Sequence, residues 1–231
     1  MNTHRCGLRG VNLLNVHQII VRKLGRVDYQ KTVEEMQEFT RCRHSEVRDE
    51  LWLLEHHPVY TQGYTCNQLP FGTSNIPIVS TDRGGQITYH GPGQLVIYLL
   101  LDIKRRNQGV RNLINSIEAG IIATLQHYRI EGQVRPKAPG VYVKERKVAS
   151  LGIRVSRGCT YHGLSLNVDM DTSPFESIDV CGYKDLEVTT MHETGANCDL
   201  NEIATRCAEE LAQELGYLQI TYVSGVNSVK E

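Results

Sequence analysis

The chain is expected to fold as an α/β (α+β) protein, a mixed β-sheet flanked by helices. Three observations predict it. The run Leu95–Leu101 is apolar throughout yet only strand-length, as a strand buried on both faces reads. Two segments, 110–128 and 199–216, repeat apolar residues at helical spacing. Hairpin signals break up the order of strands and helices, so the strict alternation of a doubly wound parallel sheet is not met.

Residues 1–19 show little periodicity and read as a loose leader. "IIVRKLG" reads as the first strand. "DYQKTVEEMQEFTRCRH" reads as a helix, with Val33, Met36 and Phe39 on one face and Asp28 as its cap. "LWLLEHHPVYT" is β-prone, and Pro58 should interrupt or end the strand. Residues 62–76 are turn-rich and read as a mobile loop suited to a lid. "RGGQITYHGPG" reads as two tight turns around a short strand.

In "VRNLINSIEAGIIATLQHY" the residues Leu113, Ile114, Ile117, Ile121, Leu125 and Tyr128 line one helical face. "GVYVKERKVASLGIRVS" reads as two strands joined at Lys144–Arg146, and "HGLSLNVDM" as another strand. "DLNEIATRCAEELAQELG" is a second clear helix, capped by Asp199 or Asn201 and closed by Gly216. "YLQITYVS" is a short last strand. One domain over 20–223 and a tail at 224–231 complete the reading.

Hydrophobic residues make up 40% and charged residues 22%, enough apolar content for a sizeable core. The formal net charge of -1 offers no nucleic-acid footprint. No apolar run reaches membrane-helix length, and no signal peptide is read. Seven irregularly spaced cysteines point to reduced thiols and a cytoplasmic setting.

Cys181, in "SIDVCGYKDLEV", is followed by glycine in a segment that reads as a turn. Cys207 sits on an apolar helix face, the ordinary place for an inert thiol, and Cys159 at a strand edge. A nucleophilic thiol needs a base or a nearby cation. His90, His162 and His192, and Lys137, Lys144, Lys147 and Lys184, are the candidates. Lys147 opens the strand "KVASLGIRV", where the plain reading is a strand end whose amine snorkels to solvent. "CTYH" is a single knuckle, so no metal site is expected. The glycine-rich stretch matches neither the phosphate-loop nor the dinucleotide pattern. Its glycines either make turns only, or bring backbone N–H groups to a ligand with Arg83 and His90 in reach.

"LLEHHPVYTQG", "DRGGQITYHGPGQLVIYLLLDIKR", "APGVYV", "KVASLGIRV", "YHGLSLNV" and "CGYKDLEVT" occur in this order. Together they resemble the lipoyl(octanoyl) transferases, from about Ile20 to Thr190. The resemblance implies a fold like the biotin and lipoate protein ligases. It implies octanoyl transfer from acyl carrier protein to lipoyl domains, those of 2-oxoacid dehydrogenase E2 subunits and the glycine cleavage H protein. It implies a thioester on Cys181 and a lysine, Lys147, that tunes the thiol. The acyl pocket would be Arg83, Gly84, Gly85, Gln86, Ile87, Thr88, Tyr89 and His90, with Ser150, Leu151 and Gly152, and Gly163, Leu164 and Ser165. No cofactor, nucleic acid or membrane is implied. Val180 stands where the family usually has proline, and Ser165 where alanine is usual. A lysine can accept a proton at neutral pH only where burial disfavours its charged form. Backbone N–H groups near Leu151–Gly152 or Gly182 are the expected oxyanion donors. The rival readings are an ATP-dependent lipoate or biotin ligase, a thioesterase or amidase using Cys181 with His162 or His192, and a non-enzymatic binding module.

Overall fold

The computed structural model describes residues 17–66, 69–70, 75–182, 186–197 and 199–225, with the backbone alone at position 181. The leader at 1–19, the centre of the loop at 62–76 and the tail at 224–231 therefore fall largely outside the described residues.

Strand β1 (Gln18–Val27) leads into helix α1 (Tyr29–Cys42). The Asp28 carboxylate caps that helix by accepting from the Lys31 N–H at 2.9 Å. β2 (Asp49–His56) and β3 (Val59–Gln62) are parted at Pro58, which has no N–H for a ladder. β4 (Ile78–Ser80), β5 (Ile87–His90) and β6 (Gln94–Leu100) follow, then helix α2 (Val110–His127). β7 (Gln133–Arg135) and β8 (Ala138–Val143) precede β9 (Arg146–Ser156) and β10 (Cys159–Asn167). Lys144 and Glu145 both have positive φ, 46° and 71°, as a two-residue hairpin turn with the twist of its strands requires. Short 3-10 turns at Ser173–Ser177 and Val180–Gly182 lead to helix α3 (Leu200–Glu214), capped by Asp199, and to β11 (Gln219–Ser224).

Among the described residues there is an eight-stranded sheet, β11-β1-β2-β6-β10-β9-β8-β7, and a three-stranded one, β4-β3-β5. β11, β1 and β2 run parallel, and the remaining pairs of the large sheet are antiparallel, so the sheet is mixed. No described helix is long and apolar enough to cross a membrane.

Strand alternation explains the apolar run of β6. Leu95, Ile97 and Leu99 face a core shared with α2 and α3, whereas Val96, Tyr98 and Leu100 face a second core under α1. β2 does the same, with Leu51 and Leu53 on one side and Trp52 and Leu54 on the other. A third cluster joins Tyr60, Ile87 and Tyr89 of the small sheet to Phe175, Ile178 and Val180 of the 3-10 turns. It fixes the segment that carries Cys181 against β5.

Candidate active site

A cleft open to solvent lies where β5 and the loop before it meet β9 and β10. Ser150, Leu151 and Gly152 stand opposite Ser165, Leu164 and Gly163 across the β9–β10 ladder, and these six form one wall. Arg83, Gly85, Gln86, Ile87, Thr88 and His90 form the facing wall. Gly163 leaves no room for a side chain, because a Cβ there would collide with the Ile97 carbonyl oxygen of β6.

Gly84 and Tyr89, expected beside the acyl group, stand off the cavity wall. The Gly84 N–H is spent on the Ile153 carbonyl at 3.1 Å, which docks the glycine loop onto β9. Tyr89 alternates to the other face of β5 and packs on Tyr60 and Phe175. Arg83 lines the cleft and also ties down the loop it stands on. It donates to the Thr61 carbonyl at 2.6 Å, the Gln86 carbonyl at 2.8 Å and the Gly84 carbonyl at 2.9 Å, and so braces its own loop. Tyr29, Val96, Tyr98 and His162 also line the cleft. Sequence reasoning left them out of the pocket because nothing local tells which face of a buried strand, or which end of a helix, meets a cavity. His162 alone had a signal, as a candidate base.

Lys147 is 1% exposed. The snorkelling strand end read from the sequence is corrected, because a distant segment covers it. The Lys147 N–H donates to the Glu187 carbonyl, and its carbonyl accepts from the Thr189 N–H, both at 2.9 Å. Its Nζ donates to the Pro139 carbonyl at 3.0 Å and lies 5.2 Å from the centre of the Tyr142 ring. Gly140 makes room for the amine. A Cβ there would sit 3.0 Å from the lysine Cε and 3.1 Å from Nζ, and its φ of 132° suits glycine alone.

Position 181 lies in the 3-10 turn Val180–Gly182, as the expected turn requires. Its side chain, and residue Lys184, fall outside the described atoms. Val180 is 3% exposed in the third core cluster, so side-chain packing holds the turn. The Gly182 N–H is not available as an oxyanion donor, because it donates to the Asp179 carbonyl at 3.0 Å within the turn. The segment carrying Cys181 is thus tied to β5 before the cysteine and to the backbone of Lys147 after it.

Two buried histidines, His90 and His162, line the cleft, and the ring of a third, His56, lies 5.8 Å from that of His90. His90 Nδ1 lies 2.7 Å from Gln94 Oε1, and burial pushes its pKa down to about 3. His56 bridges the Tyr98 hydroxyl at 2.7 Å and the Val27 carbonyl at 3.0 Å, and burial lowers it to about 4. His162 Nε2 lies 3.0 Å from Asp82 Oδ1, and burial outweighs the carboxylate to lower its pKa too. That hydrogen bond, with one from the Tyr161 phenol, holds Asp82 at about 2. These rings are neutral near pH 7, and none of them is a free surface base. His192 is exposed, 3.6 Å from Asp169, and does not line the cleft. Cys207 is fully buried with its thiol pushed up to about 12 by burial, as an inert core residue should be. Cys159 and His162 are three apart on one strand and so project to opposite faces.

The family model of the lipoyl protein ligase A/B catalytic domain matches residues 28–212. An octanoyltransferase of Legionella pneumophila (strain Lens) is 52% identical over 187 residues, which cover 80% of this chain and 94% of that protein. An octanoyltransferase of Vibrio cholerae serotype O1 is 47% identical over 210 residues, covering 89% and 95%. Among solved structures, a lipoate-protein ligase A bound with ATP superposes with a TM-score of 0.72 at 10% identity, over 93% of this chain and 90% of that one. The biotin protein ligase from Aquifex aeolicus gives 0.51 at 14% identity, over 86% and 69%. At such low identity these structures speak for the fold, the mixed sheet flanked by helices of the lipoate and biotin protein ligases. Identity near one half over almost the whole length of its relatives places the chain in the octanoyltransferase family, as an acyltransferase of protein lipoylation.

Proposed function

We propose that the protein moves an octanoyl group from acyl carrier protein to the lysine of lipoyl domains, through a thioester on Cys181. The observation that carries this reading is the pairing of a buried lysine with the cysteine segment: Lys147, at 1% exposure, is hydrogen-bonded through its backbone to residues just after Cys181. The acceptors would be lipoyl domains of 2-oxoacid dehydrogenase E2 subunits and the glycine cleavage H protein.

In the first step Cys181 Sγ, its proton passed to Lys147 Nζ, attacks the carbonyl of the carrier thioester. A new C–S bond forms to Cys181, and the carrier sulfur leaves and takes the proton from Lys147. In the second step the acceptor amine attacks the Cys181 thioester. The amide C–N bond forms, the C–S bond breaks, and Lys147 conveys the amine proton to the leaving thiolate. The two thioesters are chemically alike, so the first step is nearly balanced and no nucleotide is needed. Burial of the chain against Leu151, Leu164 and Ile87 would contribute about 0.8 kcal/mol per methylene.

Intact-mass measurement after incubation with octanoyl carrier protein tests this. An acyl gain mapping to Cys181, lost in Cys181→Ser, is expected without ATP. Full transfer by Cys181→Ser, or an absolute need for ATP, sinks the reading. Lys147→Ala should slow acylation and change its pH profile; an unchanged profile between pH 6 and 9 removes Lys147 from the mechanism.

A further inference from the structure

The inner end of the cleft holds polar atoms for which an octanoyl chain has no use. Thr88 Oγ1 and His162 Nδ1 are buried without a hydrogen-bond partner among the described residues, and both residues line the cleft. Neighbouring hydroxyls bring them to one place. Thr88 stands opposite Thr61, so their side chains share one face of the small sheet. Thr81 Oγ1 lies 3.5 Å from His162 Nε2. The Tyr29 phenol, on the same cavity wall, is within electrostatic reach of the Thr61 and Thr81 hydroxyls.

The chemistry of the two atoms is complementary. Burial keeps the His162 ring neutral, and Nε2–H donates to the Asp82 carboxylate, so Nδ1 carries the lone pair and can only accept. The Thr88 hydroxyl can donate as well as accept. His162 is held at φ 59° in mid-strand, an unfavourable conformation for a residue with a Cβ, of the kind that persists where function requires it. Leaving either atom unpaired costs its full desolvation.

The register tells which end of the acyl chain meets them. From Lys147 the cleft-lining pairs along β9 and β10 run Ser150–Ser165, Leu151–Leu164 and Gly152–Gly163, and His162 comes next, opposite Ile153. With the carbonyl at Lys147 and Cys181, the tail points to His162.

We propose that this end of the cleft is a polar subsite for the acyl tail, which takes a medium-length chain carrying a hydroxyl at its terminal carbon: the hydroxyl donates to His162 Nδ1 and accepts from Thr88. The substrate class is the ω-hydroxyacyl thioester, transferred by the same two steps as octanoyl. The inference rests on the octanoyl-transfer reading.

The test compares acyl-enzyme formation from octanoyl and 8-hydroxyoctanoyl thioesters of one carrier, by intact mass, in the wild type, Thr88→Val and Thr88→Ser. A purely apolar pocket disfavours an added hydroxyl by about a hundredfold. Here the two chains should load within about tenfold of each other. The hydroxyacyl-to-acyl ratio should fall at least about fivefold in Thr88→Val, which keeps the shape and removes the hydroxyl, and be retained in Thr88→Ser. Partial misfolding lowers both rates and leaves the ratio alone. Octanoyl loading with hydroxyoctanoyl about a hundredfold slower, or a ratio that Thr88→Val leaves unchanged, overturns the subsite and leaves octanoyl transfer standing. Loading of neither chain overturns octanoyl transfer itself.

Discussion

Lys147 depends on Gly140 more than on any residue adjacent to it in sequence. A methyl group at position 140 would press on Cε and Nζ and on the Ala149 carbonyl oxygen, 2.5 Å away. The backbone there, at φ 132°, also resists any side chain. Gly140→Ala should therefore displace the amine. We expect acylation at least about tenfold slower, since about 1 Å of misplacement can cost a hundredfold. The rate of the acyl-enzyme burst checks this, and a burst at the wild-type rate would show that the amine position is not critical. At this scale the sequence was partly legible. Glycine after Cys181 marked a turn, and the family motifs marked Lys147 itself. The burial of Lys147 was not legible, because the segment Glu187–Thr189 that covers it lies forty residues away in the chain. The placement of Gly84 and Tyr89 off the cleft wall was not legible for a related reason. They stand in the same motif as the pocket residues, and motif membership does not say which way a strand residue points.

The elements carry two measurable consequences. Asp28 caps α1, so Asp28→Ala should cost about 1 kcal/mol in a urea melt. The buried histidines on β2, β5 and β10 set the acid behaviour. His56 and His90 have folded pKa values near 4 and 3, below the ordinary 6.5. Their unfolded forms bind protons first as the pH falls, so the stability they confer is whole above about pH 6.5 and drains away below it. Each should cost about 1.4 kcal/mol per pH unit in that window. Asp82 adds to the loss only when the pH falls from about 4 toward 2. Thermal melts should show a falling Tm from pH 7 to 5, with a shallower slope in His90→Gln; parallel slopes would contradict the assignment. Most of these elements could be read from the sequence, because helical period, caps and the hairpin turn within Lys144–Arg146 are local properties. The three-residue strands β4 and β7 could not, since so few positions show no period.

The whole molecule is pinned at Asp49, which is fully buried at the start of β2. It accepts from Arg43 after α1, Arg105 after β6 at 2.8 Å, the Asp102 N–H at 2.8 Å and the Tyr217 hydroxyl before β11 at 2.6 Å. Asp49→Asn leaves two buried guanidinium groups uncompensated and should cost about 3–5 kcal/mol, read by chemical denaturation. A loss under 1 kcal/mol would mean that water reaches both arginines. No sequence pattern pointed to this hub, since its partners come from three separate stretches of chain. The sequence by itself determined what is local: a strand or helix at each place, the caps, the hairpin turn, and the motifs of an octanoyltransferase. Only the tertiary structure decided that Arg83, Gly85, Gln86, Ile87, Thr88 and His90 wall one cleft with residues 150–152 and 163–165, that Lys147 is buried with its backbone paired to the segment at Val188, and that Thr88 and His162 line that same cleft. The reason is physical. Period and turn chemistry act between residues a few positions apart, whereas sidedness, burial and unpaired polar atoms depend on which strand lies next to which, and that is set by packing across the whole sheet.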